Sequence, residues 1–123
     1  MNDIKIVIPL NPVTKKNHSE IIFNKKTGKP FLVPSKQYRN YEKECGWFLK
    51  PLGINQPVNV KCLFYMGSRR VVDLPNLLSA IDDVLVKYNV VVDDNSKIIA
   101  THDGSRVRYD KENPRTEITI SFW

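Results

Sequence analysis

A chain of 123 residues, 41% hydrophobic and 26% charged, is sized for one globular domain that builds its core without disulfide or metal staples. No apolar stretch approaches the roughly 18 residues of a membrane span. The opening Met1-Asn2-Asp3-Ile4-Lys5 lacks a secretory pattern, so a cytoplasmic location is expected. Lys and Arg number 19 against 13 Asp and Glu, and the resulting charge of +6 favours a polyanionic partner such as nucleic acid.

In chain order, Ile4, Ile6 and Ile8 alternate along a first strand, residues 4–10, which Pro9 and Pro12 break. Residues 11–19 form a loop that carries Lys15, Lys16 and His18. Residues 20–24 and 29–33 flank Lys25-Lys26-Thr27-Gly28, a hairpin with a basic tip. Phe23 and Phe31 lie near that tip, where one of them could act as a wedge at a branch point.

Ser35 is placed as the N-cap of a helix whose apolar face carries Tyr38, Tyr41, Cys45, Phe48 and Leu49. Pro51 and Gly53 end it, and Tyr41, Trp47 and Phe48 read as core aromatics. Cys45 and Cys62 have no CxxC spacing and read as reduced core thiols.

A long strand over residues 58–66 sets Val58, Val60, Cys62 and Phe64 on one face. A basic turn with Arg69 and Arg70 then leads into the clearest helix. Leu74, Leu77, Leu78, Ile81, Val84, Leu85 and Tyr88 form its apolar face, and Asp73, Asn76, Ala80, Asp83 and Lys87 form a separate stripe. Residues 98–100 and 107–109 read as extended, residues 110–114 as a turn and residues 115–122 as a last alternating strand. The expected fold is α/β: a single domain, residues 1–123, with a mixed sheet and two main helices packed against it.

Two acidic signatures carry the chemistry: Asp73-Leu74-Pro75-Asn76-Leu77, where the second helix starts, and Asp93-Asp94-Asn95, which closes the apolar run Val90-Val91-Val92. Carboxylates at element boundaries among Lys and Arg suit a divalent cation working on a phosphate backbone. Each cluster alone is more often structural, an N-cap or a turn, than catalytic. Asp83 lies nearly three turns below Asp73, too far along a regular helix to share an ion with it. His18 and His102 lack zinc-like spacing and read as loop or surface residues.

Arg69 to Leu77, with Asp83-Val84-Leu85 and Val92-Asp93-Asp94, resembles the RusA family of Holliday-junction resolvases. That family's usual signature is Asp-Leu-Asp-Asn-Leu-x-Lys, then a helical Asp, then Asp-Asp. The resemblance implies a RusA-like fold and a magnesium-dependent endodeoxyribonuclease that resolves four-way DNA junctions in recombination and repair. It also implies a homodimer and a phage or prophage setting. Residue by residue, it makes Asp73 and Asp94 the catalytic carboxylates, and Asp73, Asp93 and Asp94 the magnesium ligands. Asp83 and Asn76 take supporting roles. Lys15, Lys16, Lys25, Lys26, Arg69, Arg70 and Arg106 are the expected DNA contacts.

Two positions depart from the signature: Pro75 stands where the family has its second Asp, and Ser79 where it has a Lys. Asp103 is a candidate replacement carboxylate and Arg106 a candidate replacement cation, although Asp103-Gly104 also reads as a plain turn. Two further functions stay open beside the nuclease. One is a branched-DNA-binding protein that has lost its chemistry through Pro75 and Ser79; the other is a basic protein-interaction module whose acidic residues are only caps.

Overall fold

Alternation of period two along two long strands sets the centre of the molecule, and helices cover one of its faces. The structure, a computed structural model, describes residues 2–15, 20–33 and 35–123; Lys16 and His18 lie outside the described residues. Along the chain run β1 (Ile4–Ile8), β2 (Glu20–Phe23), β3 (Pro30–Val33), α1 (Lys36–Cys45), β4 (Val58–Met66), α2 (Leu74–Lys87), β5 (Ile99–Thr101), β6 (Arg106–Tyr109) and β7 (Arg115–Phe122).

Five strands form one mixed sheet in the order β1-β7-β4-β5, with β6 following β5 along the same edge of β4. β7 is antiparallel to both β1 and β4, whereas β5 and β6 run parallel to β4. Among the described residues, β2 and β3 pair only with each other, as a two-stranded ribbon. The expected architecture, a mixed sheet with two helices, is the observed one.

The register sets Ile6 beside Ile118 and Cys62, and Ile4 beside Ile120 and Val60, so these side chains share one face. Tyr38, Tyr41, Leu77, Ile81, Val84 and Leu85 from the helices join them in the buried core. Full burial of one such side chain stabilises the fold by about 1.5–3 kcal/mol. Ser35 caps α1 as expected, its Oγ accepting the Tyr38 N–H at 3.1 Å. The two helices are joined where the Tyr88 hydroxyl donates to the Glu42 carbonyl at 2.9 Å and Lys87 Nζ meets Glu42 Oε1 at 2.6 Å.

Several local expectations are corrected. α1 stops at Cys45 and passes into a short 3-10 helix, Gly46–Phe48. Trp47 is 80% exposed and Phe48 39%, so neither is a core aromatic. The step per residue grows from about 100° to about 120° in a 3-10 turn, which swings these two residues off the core-facing stripe. Ala80, placed on the polar stripe of α2, is buried, and its carbonyl accepts the Tyr38 hydroxyl at 3.4 Å because α1 leans against that side. Within the apolar run Val90 to Val92, Val91 makes an isolated parallel bridge with Ile54.

Cys45 and Cys62 are buried and free. Burial pushes the Cys45 thiol up to about 12, despite the lowering effect of its Tyr41 hydrogen bond, and raises Cys62 further. Both therefore stay protonated and inert. Among the described residues, no helix is long and apolar enough to cross a membrane.

Candidate active site

β4 delivers the chain to a turn at Gly67, and α2 then runs back across the sheet face from Leu74. Asp73 occupies the N-cap position of α2 with extended backbone, yet its side chain makes no cap hydrogen bond. The cause is local: Pro75, at the second helical position, has no N–H to offer. The Asn76 N–H instead donates to the Asp73 main-chain carbonyl at 3.1 Å. Among the described residues, only the Asn76 side-chain amide reaches the Asp73 carboxylate, at 3.4 Å. The expected N-cap is thus one of position only, and the carboxylate remains available to a ligand.

Asp73 and Asn76 line a small pocket with Thr14, Val71 and Val72. Next to it, a second pocket is lined by Asn11, Thr14, Met66, Ser68 and Arg70 among others. The loop that walls both is tied down at two points. Asn11 Oδ1 accepts the Gly67 N–H at 2.9 Å, and the Lys15 ammonium pairs with the Asp83 carboxylate on α2. Asp83 is therefore engaged by the basic loop, with Lys15 brought onto the α2 stripe. Arg69 lies with its guanidinium 4.0 Å above the Tyr109 ring, and Arg70 borders the larger pocket.

The second signature follows the end of α2. Asn89 adopts a positive φ of 55°, and the Val90 N–H donates back to the Leu85 carbonyl at 2.9 Å. Val90 and Val91 bury themselves beside Ile54, leaving Asp93 and Asp94 exposed beyond them. Asp93 is committed to its own loop: Oδ1 accepts the Asp94 N–H at 2.7 Å and Oδ2 accepts the Asn95 amide at 3.1 Å. Those two hydrogen bonds, the backbone one first, hold its carboxyl below the usual range.

Asp103 is exposed in the turn between β5 and β6, where Gly104 has φ 86°. Its N–H donates to Asn59 Oδ1 at 2.7 Å and its carbonyl accepts the Asn59 amide at 3.2 Å. Asn59 stands at the start of β4, whereas Asp73 follows the end of that strand, so the turn reading accounts for Asp103. Arg106 opens β6 and is exposed, while Lys25 and Lys26 sit exposed at the tip of the β2–β3 ribbon, which is a separate sheet from that of β6. Among the described residues, no three His, Cys, Asp or Glu side chains gather in a way that could hold a metal ion. Asp73, Asp93 and Asp94 are accordingly not a ready three-carboxylate cluster.

One pair escaped the reading of the sequence. His102 does lie in the loop that follows β5, but it is not a surface residue: its Nε2 lies 2.9 Å from Asp82 Oδ2 and its Nδ1 lies 2.7 Å from the Val60 carbonyl. The two side chains are only 23% and 15% exposed. A carbonyl can only accept, so Nδ1 carries a proton, and one further proton lies between Nε2 and the Asp82 carboxylate. Burial pulls the imidazolium down, but the hydrogen bond and charge of Asp82, with the Val60 carbonyl, outweigh it and raise His102 above its ordinary value. Burial foremost, opposed by His102 and reinforced by the charge of Asp94, raises Asp82. The other Asp82 oxygen, Oδ1, is buried with no hydrogen-bond partner among the described residues. The sequence held one usable signal, an Asp on the flank of the apolar face of α2, on the side away from the Asp73 stripe.

The mixed α/β domain thus sets the helix-start carboxylate of Asp73 in a pocket adjoining the one that Arg70 lines. The endodeoxyribonuclease RusA family matches residues 9–121, and the chain belongs to that family of Holliday-junction resolvases. Nucleases of the family are metal-dependent. No curated protein sequence matches the chain significantly.

Proposed function

We infer that this chain is a magnesium-dependent, structure-selective endodeoxyribonuclease that nicks four-way DNA junctions as a homodimer. Asp73 and Asp94 are the carboxylates that hold the ion, and Asp93 shapes the loop that presents Asp94. The observation that carries this reading is the uncapped Asp73 carboxylate at the head of α2, in a chain of this family. The donor set fits magnesium: the candidate ligands are all hard oxygens. Magnesium is commonly held by one or two carboxylates, with water and substrate phosphate completing the octahedron. When bound, such an ion stabilises charge on the phosphate and lowers the pKa of water.

The chain's own residues do the positioning. Arg69 and Arg70 meet backbone phosphates beside the pocket, and Arg106 extends that rim along β6. Asn76 orients Asp73 through the amide contact, and Lys15 closes the loop over α2 through Asp83. Lys16, Lys25 and Lys26 add phosphate contacts. Two subunits place two sites for paired nicks.

The departures at Pro75 and Ser79 favour a second reading, a branched-DNA-binding protein that has lost its chemistry. One experiment separates the two. Wild type, Asp73→Asn and Asp94→Asn are incubated with a labelled four-way junction and a matched linear duplex, with and without magnesium. The nuclease reading expects junction nicking that requires magnesium and falls on the order of 10²-fold or more in either variant. Selective junction binding with no nicking by any of the three proteins would establish the second reading instead.

A further inference from the structure

The β2–β3 ribbon forms a sheet of its own and leaves large apolar side chains in solvent: Phe23 is 62% exposed, Ile21 63% and Phe31 47%. Its register pairs Phe23 with Pro30 and Ile22 with Phe31. Successive cross-strand pairs point to opposite sides of a ribbon, so Phe23 and Phe31 lie on opposite faces. An isolated two-stranded hairpin is marginal in water, and one that shows an aromatic ring on each face calls for a partner on both sides.

The tip says which partner. Lys25, Lys26 and Lys29 are exposed there, and no acidic residue occurs from Ile21 to Val33. The tip is a built turn: Asn24 Oδ1 accepts the Lys26 and Thr27 N–H groups at 2.8 and 3.2 Å, and Gly28 takes φ 68°. Three ammonium groups on a chain of net charge +6 disfavour a second copy and favour a polyanion. In linear duplex the base faces are stacked away. Where strands diverge, unpaired bases offer faces on which aromatic rings can stack.

On the reading of the chain as a junction nuclease, we propose that the β2–β3 ribbon is a separating arm that enters the branch point of DNA. Its lysine tip holds phosphates while Phe23 and Phe31 each stack on an unpaired base, one on either side of the ribbon. Both rings are required because each face serves a different strand.

The test uses the full-length protein in EDTA, so that nothing is cut, with a four-way junction carrying 2-aminopurine at the crossover. Wild type, a Phe23→Leu/Phe31→Leu double variant and a Phe23→Trp/Phe31→Trp double variant are compared for affinity, fluorescence and native mass. Leucine keeps the ribbon apolar but removes both rings; tryptophan keeps a ring on each face. Wild type and the Trp variant are expected to bind the junction selectively and raise the 2-aminopurine signal. The Leu variant is expected to lose the signal and on the order of 10²-fold in junction affinity, with duplex affinity unchanged. The single Leu variants, each losing part of this, carry the test if the double variant does not fold. Unaltered junction affinity and fluorescence in the Leu variants overturns the proposal, as does a halved native mass, which would make the ribbon a subunit contact. Wild type that fails to prefer the junction over duplex overturns the junction reading itself, before any variant is compared.

Discussion

His102 and Asp82 meet with Nε2 and Oδ2 2.9 Å apart, between α2 and the end of β5, and Val60 fixes the other ring nitrogen at 2.7 Å. Neither side chain can be removed without stranding the other in a mostly buried setting. His102→Ala leaves a carboxylate with both oxygens unpaired, and the expected cost is about 2–4 kcal/mol of stability. Asp82→Asn is milder, about 1 kcal/mol, because the Asn amide can still donate to Nε2. Urea denaturation of the two variants checks the order; equal losses would contradict it.

The same pair makes stability depend on pH. His102 has a folded pKa above its ordinary 6.5, so its stabilisation is complete below 6.5 and is lost as pH rises through the folded value. Asp82 is also raised, from 3.8, so the folded state again binds the proton more tightly and loses stability as pH rises. Both contributions slope the same way. Wild type should therefore lose more stability than His102→Asn on going from mildly acidic to mildly alkaline pH, measured by urea denaturation. An NMR titration should place the His102 midpoint above 6.5, and Asp82→Asn should lower it.

Gly46 joins α1 to its 3-10 extension under the ring of Tyr88. A methyl group there would sit 2.5 Å from Tyr88 Cε1, a ring already held by the bond of its hydroxyl to Glu42. The Gly46→Ala variant should lose about 1–3 kcal/mol by overpacking, read from its thermal or urea midpoint. At the open tip of the ribbon, a Cβ on Gly28 would meet nothing within 4 Å, although its φ of 68° still disfavours any other residue.

Arg69 is presented to solvent from the face of Tyr109. If it meets a phosphate, Arg69→Ala should weaken binding to all DNA alike. It should also reduce the slope of log affinity against log salt by about 0.9 for duplex. Tyr109→Leu should give a smaller loss with an unchanged slope, since the charge remains and only its support goes. Filter binding across a salt series distinguishes these results.

What the sequence determined was local. The 3.6-residue period from Leu74 to Tyr88, the cap at Ser35 and the alternation along 58–66 and 115–122 each rest on near neighbours, and each appears in the fold. The two acidic signatures were legible for the same reason, since Asp73 and Asp93-Asp94 mark where a helix starts and where an apolar run ends.

What tertiary structure decided was every partnership across distance. It paired Asp82 with His102 and Lys15 with Asp83, hid Ala80 beneath α1, turned Trp47 outward and set Asp103 beside Asn59. Periodicity states which side of a helix is apolar, but only packing decides what lies against its flanks. A single Asp on the flank of α2 therefore became the partner of a buried histidine.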